Sequence, residues 1–241
     1  MRLCLWLFCL FLPLAMAGAE DIRLIYFRMP PFADMVNDKA TGPAVALIRE
    51  LTAGLPIAAG EPIAMPLKRL EHALKSEKTI AIGLGRNERR EKLGYVWVVQ
   101  LFQDDYYFVT MAGHPAVAGF DDARKLRRVA CNLGSAPADI LLDHGFTNLE
   151  NANDLQSEAA KLRAGHVDGW FDLKIFIDTT WRSLGYDPAE LHWSQPVRRS
   201  AAIWIAASPL VEPEVIDTMR RRYDEIKSQG RLDPLLAKLI Q

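Results

Sequence analysis

The sequence predicts an α/β protein made of two similar units, each a sheet flanked by helices, followed by a helical tail. Two observations carry this. Short apolar or alternating runs take turns with longer segments of helical period, and the alternation restarts once, midway along the chain. The 241 residues, 50% of them hydrophobic, suffice for one large domain or two small ones.

"DIRLIYFRM" reads as a strand that stops at Pro30-Pro31. "PAVALIRELTAGL" sets Ala44, Val45, Leu47, Ile48 and Leu51 on one helix face, with Gly54 placed to end it. "PIAM" is a short strand, "PLKRLEHALKSE" a helix with Pro66 near its start, and "TIAIGLG" a strand. This β-α-β-α-β order marks a sheet with parallel strands. After "DDYYFVTMAG" the rhythm restarts. "RRVACNLG", "FTNLEN", "HVDGWFD" and "ELHWSQ" read as strands, and "SAPADILLDHG", "NDLQSEAAKLRAG" and "LKIFIDTTWRSLG" as helices. "SAAIWIAAS" is a last apolar strand before the helices "EPEVIDTMRRRYDEIKSQG" and "LDPLLAKLI". Each unit comes to about 90 residues, within the usual domain range.

A formal net charge of −1 argues against a nucleic-acid binder, which needs a net basic face to displace counterions. The N-terminus stands apart. In "MRLCLWLFCLFLPLAMAGA" an arginine precedes an uncharged run from Leu3 to Leu14, shorter than the roughly 18 residues of a membrane span. Ala15-Met16-Ala17 and Ala17-Gly18-Ala19 fit a small-x-small cleavage site, so residues 1–19 read as a secretory signal peptide and the mature protein as periplasmic. Cys4 and Cys9 leave with that segment, neither being placed as a lipoprotein acceptor. Cys131 remains alone, so no intrachain disulfide forms, and it reads as a small strand residue rather than a nucleophile.

Several motifs recur in a fixed order: "PPF" at 30–32, "TG" at 41–42, "GRNERREK" at 85–92, "NLGSA" at 132–136, "LRAGHVDGWFD" at 162–172 and "IKSQGRLDPLLAKL" at 226–239. In this order and spacing the chain resembles the type II periplasmic solute-binding proteins, specifically extracellular solute-binding protein family 3, the amino-acid-binding branch of the ABC transporter substrate-binding proteins. The resemblance spans nearly all of residues 22–241. It implies two lobes, each a mixed sheet flanked by helices, joined by crossover hinge strands and closing on a ligand between them. Lobe 1 takes residues 20–109 and returns over 197–241, and lobe 2 holds 110–196. The implied partners are a small carboxylate-bearing ligand, an amino acid or a relative, and an inner-membrane ABC permease. A monomer without cofactor, metal or catalytic residues is expected.

The resemblance also nominates site residues. Arg90 matches the arginine that holds a ligand carboxylate, a task suited to the parallel N–H donors of a guanidinium; the bland alternative is a surface arginine paired with Glu88 or Glu91. Arg89 reads as solvated. Arg86 either braces the loop or lines the cleft. Phe32 packs over the ligand or in the core, and Arg69 lies near the cleft or on a helix surface. Ser135 is placed to cap the helix that follows it, whose N-terminus suits an anionic group. Asp172 is either the partner of a ligand ammonium or a helix cap. It follows Asp168 by four positions where the family spacing is five, so Leu173 competes for the site position. Gly83 and Gly85 stand where relatives offer hydroxyls, and Ala46 and Thr79 where they carry acids. These departures leave a carboxylated metabolite other than a standard amino acid open.

Other chemistries lack their motifs. "GLGRNE" has Glu88 in place of the third glycine of a dinucleotide loop and lacks the G-K-[ST] of a P-loop. The five histidines show no metal-ligand spacing, and Ser200 and Ser208 lie outside any G-x-S-x-G elbow. The rivals are an enzyme on the same fold, such as a cyclohexadienyl dehydratase using Asp172 or Asp139 as general acid, and a sensor or accessory protein for a membrane receptor.

Overall fold

In a computed structural model, residues 22–58 and 60–232 are described. The expected signal segment with Cys4 and Cys9, and the helix expected from "LDPLLAKLI" beyond Leu232, lie outside them. The first unit runs β1 (Arg23–Tyr26), a hairpin of β2 (Asp34–Val36) and β3 (Lys39–Thr41), α1 (Pro43–Thr52), β4 (Ile63–Ala64), α2 (Leu67–Ser76), β5 (Thr79–Gly85) and α3 (Glu88–Lys92). A 16-residue strand, β6 (Val96–Met111), leads out of it. The second unit has α4 (Phe120–Ala123), β7 (Val129–Cys131), α5 (Ala136–Asp143), β8 (Leu149–Asn151), α6 (Leu155–Arg163), β9 (Gly169–Leu173), α7 (Lys174–Ser183) and β10 (Leu191–Trp193). The chain returns along β11 (Arg198–Ala207) to α8 (Pro213–Ser228).

The parallel strands expected from the alternation form in both units. β1 lies between β4 and β5, parallel to each, and β7 lies likewise between β8 and β9. β6 joins the two sets. Its first part pairs antiparallel with β11, which pairs in turn with β5, while Tyr106–Val109 pair with β9. The result is one mixed sheet, β4-β1-β5-β11-β6-β9-β7-β8, with β10 on β6, and two strands crossing between the halves. At the crossing the β6–β11 register slips between Arg198 and Ala201. There Ser200 takes a positive φ of 57° and its N–H donates to Asp105 Oδ1 at 2.9 Å.

Amphipathic helices cover this sheet. α1 buries Val45, Leu47, Ile48 and Leu51, each contributing about 1.5–3 kcal/mol when removed from water. Cys131 lies in the core on β7, where burial pushes its thiol up to about 12, so it stays protonated at neutral pH. The hairpin β2–β3 and the short helices α3 and α4 carry no apolar period of their own and were not expected from it. α3 replaces an expected loop: Asn87 Oδ1 accepts the Arg90 N–H at 2.9 Å and so caps its first turn.

Candidate ligand-binding cleft

The carboxyl ends of β5, β7 and β9 converge where the two halves meet, the usual place for a site in an open α/β sheet. A cavity of about 60 Å³ lies there. Met29, Gly83, Gly85 and Arg90 reach it from the first half, and Ser135, Glu158 and Asp172 from the second. The halves touch directly. A Cβ at Gly85 would sit 2.9 Å from the Ala136 Cβ, so glycine at this strand end permits the approach. Gly83 has φ +86° and the Met29 thioether packs onto it, a Cβ there falling 2.0 Å from Met29 Cε. At both positions the missing side chain makes room for a neighbour.

Arg90 is 1% exposed and lines the cavity. Its Nε donates to Glu71 Oε1 at 2.8 Å, Nη1 to the Gly85 carbonyl at 2.6 Å and Nη2 to the Gly134 carbonyl at 3.2 Å. Three of the five guanidinium N–H donors are thus engaged by the protein itself. Burial pushes the Glu71 carboxyl up, but the hydrogen bond from Arg89 and the charge of Arg90 outweigh it and hold the group below the usual carboxylate range. Arg89 departs from its expected solvated role. It donates to both Glu71 oxygens and, through Nε, to Asp139 Oδ2 at 2.8 Å. Asn87 Nδ2 meets the same Asp139 oxygen at 2.8 Å. Because Asp139 is on α5, these bonds tie the two halves together at the cleft.

The other nominated residues divide. Ser135 lines the cavity and caps α5, its Oγ accepting from the Ala138 N–H at 3.2 Å. Asp172 and Leu173 both line it. Asp172 does not cap α7. Leu173 is the N-cap residue, and the Ile175 N–H donates instead to Asp104 Oδ2 on β6 at 2.7 Å. Phe32 is buried outside the cavity, stacked on Phe102 with ring centroids 4.2 Å apart and edge-on to Phe176; of these three rings only Phe176 lines the cavity. Arg69 is exposed on α2 and does not line it. Arg86 pairs with Glu91 and lies over the Trp97 and Trp204 rings, bracing the outside of the strand end. The cleft therefore gathers Gly83, Arg90, Ser135 and Asp172, and leaves out Phe32, Arg69 and Arg86.

Sequence reading missed Glu158 and Glu71. Glu158 is 1% exposed, lines the cavity and accepts from Trp170 Nε1 at 3.0 Å. Burial and then the charge of Asp172 raise its carboxyl well above the ordinary range, against the Trp170 and Asn132 hydrogen bonds. Asp172, 5% exposed, is pushed up to about 7 by burial, opposed by the Leu173 N–H and aided by Asp104. Both missed acids interrupt an apolar stripe: Glu158 falls among Leu155, Ala159 and Leu162, and Glu71 among Leu67, Leu70 and Leu74.

No family model matches this chain, and no curated protein matches it in sequence. Solved structures do. A mutant of ArgBP from T. maritima superposes with a TM-score of 0.77 at 18% identity, covering 91% of this chain and 95% of that one. A histidine kinase sensor domain with similarity to periplasmic binding proteins gives 0.77 at 16%, covering 91% and 96%. AbpA from Streptococcus pneumoniae, an amino acid ABC transporter substrate-binding protein bound to L-arginine, gives 0.74 at 14%, covering 92% and 95%. The fold is that of the two-lobed periplasmic binding proteins.

Proposed function

We propose that this chain is an exported solute-binding protein that captures an amino acid or a related small metabolite between its two halves and presents it to an ABC permease of the inner membrane. Residues 20–109 and 197–241 form one lobe and 110–196 the other, and the apolar segment 1–19 directs export to the periplasm. The observation that carries the reading is a cavity lined from both halves, at the strand ends, with one ion pair and a hydrogen bond to Asp139 bridging its rim. Ligand contacts on both sides convert binding energy into closure about the two crossing strands. Capture needs no bond to be made or broken, and the protein acts as a monomer.

A thermal-shift screen of the purified protein against amino acids, amines and organic acids tests this. A ligand at a hundred times its Kd stabilises the folded state by about 2.7 kcal/mol, a clear rise in Tm. Ala136→Trp, which wedges the Gly85 contact apart, is expected to abolish the rise. A full shift surviving in that variant would place binding outside the cleft.

A further inference from the structure

The cavity at the carboxyl pair is too small for a whole solute. At about 60 Å³ it holds about four waters, against the roughly 300 Å³ or more of ordinary ligand pockets. It does not end there. Phe27, Leu67 and Asn132 also line a second, outer chamber of about 640 Å³, which opens past the β2–β3 hairpin. That chamber is walled on its apolar side by Phe27, Met35, Met65 and Leu133, and Met35 is 43% exposed at its lip.

The inner end presents acidic groups that no cation among the described residues offsets. Arg90 is offset by Glu71. Glu158 and Asp172 have no such partner: among the described residues no cation forms a salt bridge with either. Asp172 Oδ1 accepts the Leu173 N–H at 2.7 Å, and no hydrogen bond among the described residues reaches its Oδ2. Two carboxyls, each more than nine-tenths buried, face a space that the protein does not neutralise. An unpaired buried carboxyl keeps its proton until a cation arrives, so this pair is a latent site for a cation supplied from outside.

We infer that the cleft takes an elongated solute headed by a protonated amine or guanidinium, its cationic head between Glu158 and Asp172 and its body lying in the outer chamber against Phe27 and Met35. This rests on capture between the halves and narrows it to a ligand class. The head is selected by two carboxylates, and the length by the passage at Phe27, Leu67 and Asn132. Ionisation of the pair, which burial opposes in the empty cleft, is restored by the bound cation.

Isothermal titration of the full protein with hexylamine, agmatine, methylamine and hexanoate tests it. Hexylamine and agmatine are expected to bind at least tenfold more tightly than methylamine, and hexanoate not measurably. Glu158→Gln keeps an acceptor for Trp170 and is expected to weaken hexylamine tenfold or more, as is Asp172→Asn. Met35→Trp, on the exposed hairpin, should weaken hexylamine while leaving methylamine unchanged. Hexanoate binding as tightly as hexylamine, or full affinity in Glu158→Gln, would overturn the inference. A compact amino acid that binds in the cleft independently of Glu158 would overturn it and leave solute capture standing. Failure of every amine and amino acid to bind would remove both.

Discussion

Glu71→Ala is expected to lower the folding free energy by about 3–5 kcal/mol, because it leaves the Arg90 guanidinium buried without its carboxylate. The pair is enclosed, with Arg90 at 1% and Glu71 at 8% exposure, so water cannot replace the lost partner. The same deletion frees Arg89 from two of its bonds and loosens the tie to α5. Urea denaturation of the variant measures the loss, with Glu77→Ala as the comparison. Glu77 pairs with Arg23 at the surface, and such exposed pairs contribute about 0–1 kcal/mol. A Glu71 loss no larger than that of Glu77 would mean that Arg90 is not anchored as described.

The ligand-free protein is expected to lose stability as pH rises from about 4 to about 7. The sign follows from Asp172, whose carboxyl is pushed up to about 7 from an ordinary 3.8. Between those values the folded state holds a proton that the unfolded chain has released, so stability falls with pH and levels off above the folded value. The groups facing Asp172 are Glu158 on α6, Asp104 and Tyr106 on β6 and Cys131 on β7, with Arg90 on the opposite wall held by Glu71. Glu158 shifts in the same direction and extends the effect. Glu71 acts oppositely: its carboxyl is lowered, so its contribution is present above its unfolded value of 4.5 and lost as pH falls through the folded one. Stability therefore peaks on the acid side of neutrality. Thermal melts across this range check it; Asp172→Asn should reduce the fall by its own share, and the double variant with Glu158→Gln should flatten it. A wild-type Tm that rises steadily from pH 4 to 7 would contradict the account of the carboxyl pair.

Much of the architecture was legible because period and punctuation agree in this chain. The stripe of α1, the Gly54 stop, and the strands "TIAIGLG" and "SAAIWIAAS" each appear where the sequence places them. The hairpin β2–β3 and helix α3 were not, since each is set by tertiary contacts and caps rather than by apolar spacing. The site was legible in part. Ser135 and Asp172 stand at strand and helix ends that motif order could locate, whereas the setting of Arg90 could not be read. Its nearest carboxylate, Glu71, is 19 positions away in sequence and joins it only when α2 packs beside α3. The two acids on apolar stripes offered a signal. A glutamate at the buried register of an amphipathic helix must find a partner, and Glu71 finds arginines while Glu158 finds an indole, a backbone N–H and the cavity. From sequence, the glycines at 83 and 85 show only as lost hydroxyl donors. Their larger role is steric, admitting Met29 and Ala136.

The most direct test of capture between the halves is a crystal structure of the protein with the tightest binder from the screen. The account predicts density in the interlobe cleft touching residues of both halves, with the ligand cation about 2.7–3.2 Å from Asp172 Oδ2 and a Glu158 oxygen. Density for the solute anywhere outside that cleft, with the cavity between Gly83 and Ser135 left as it is, would contradict it.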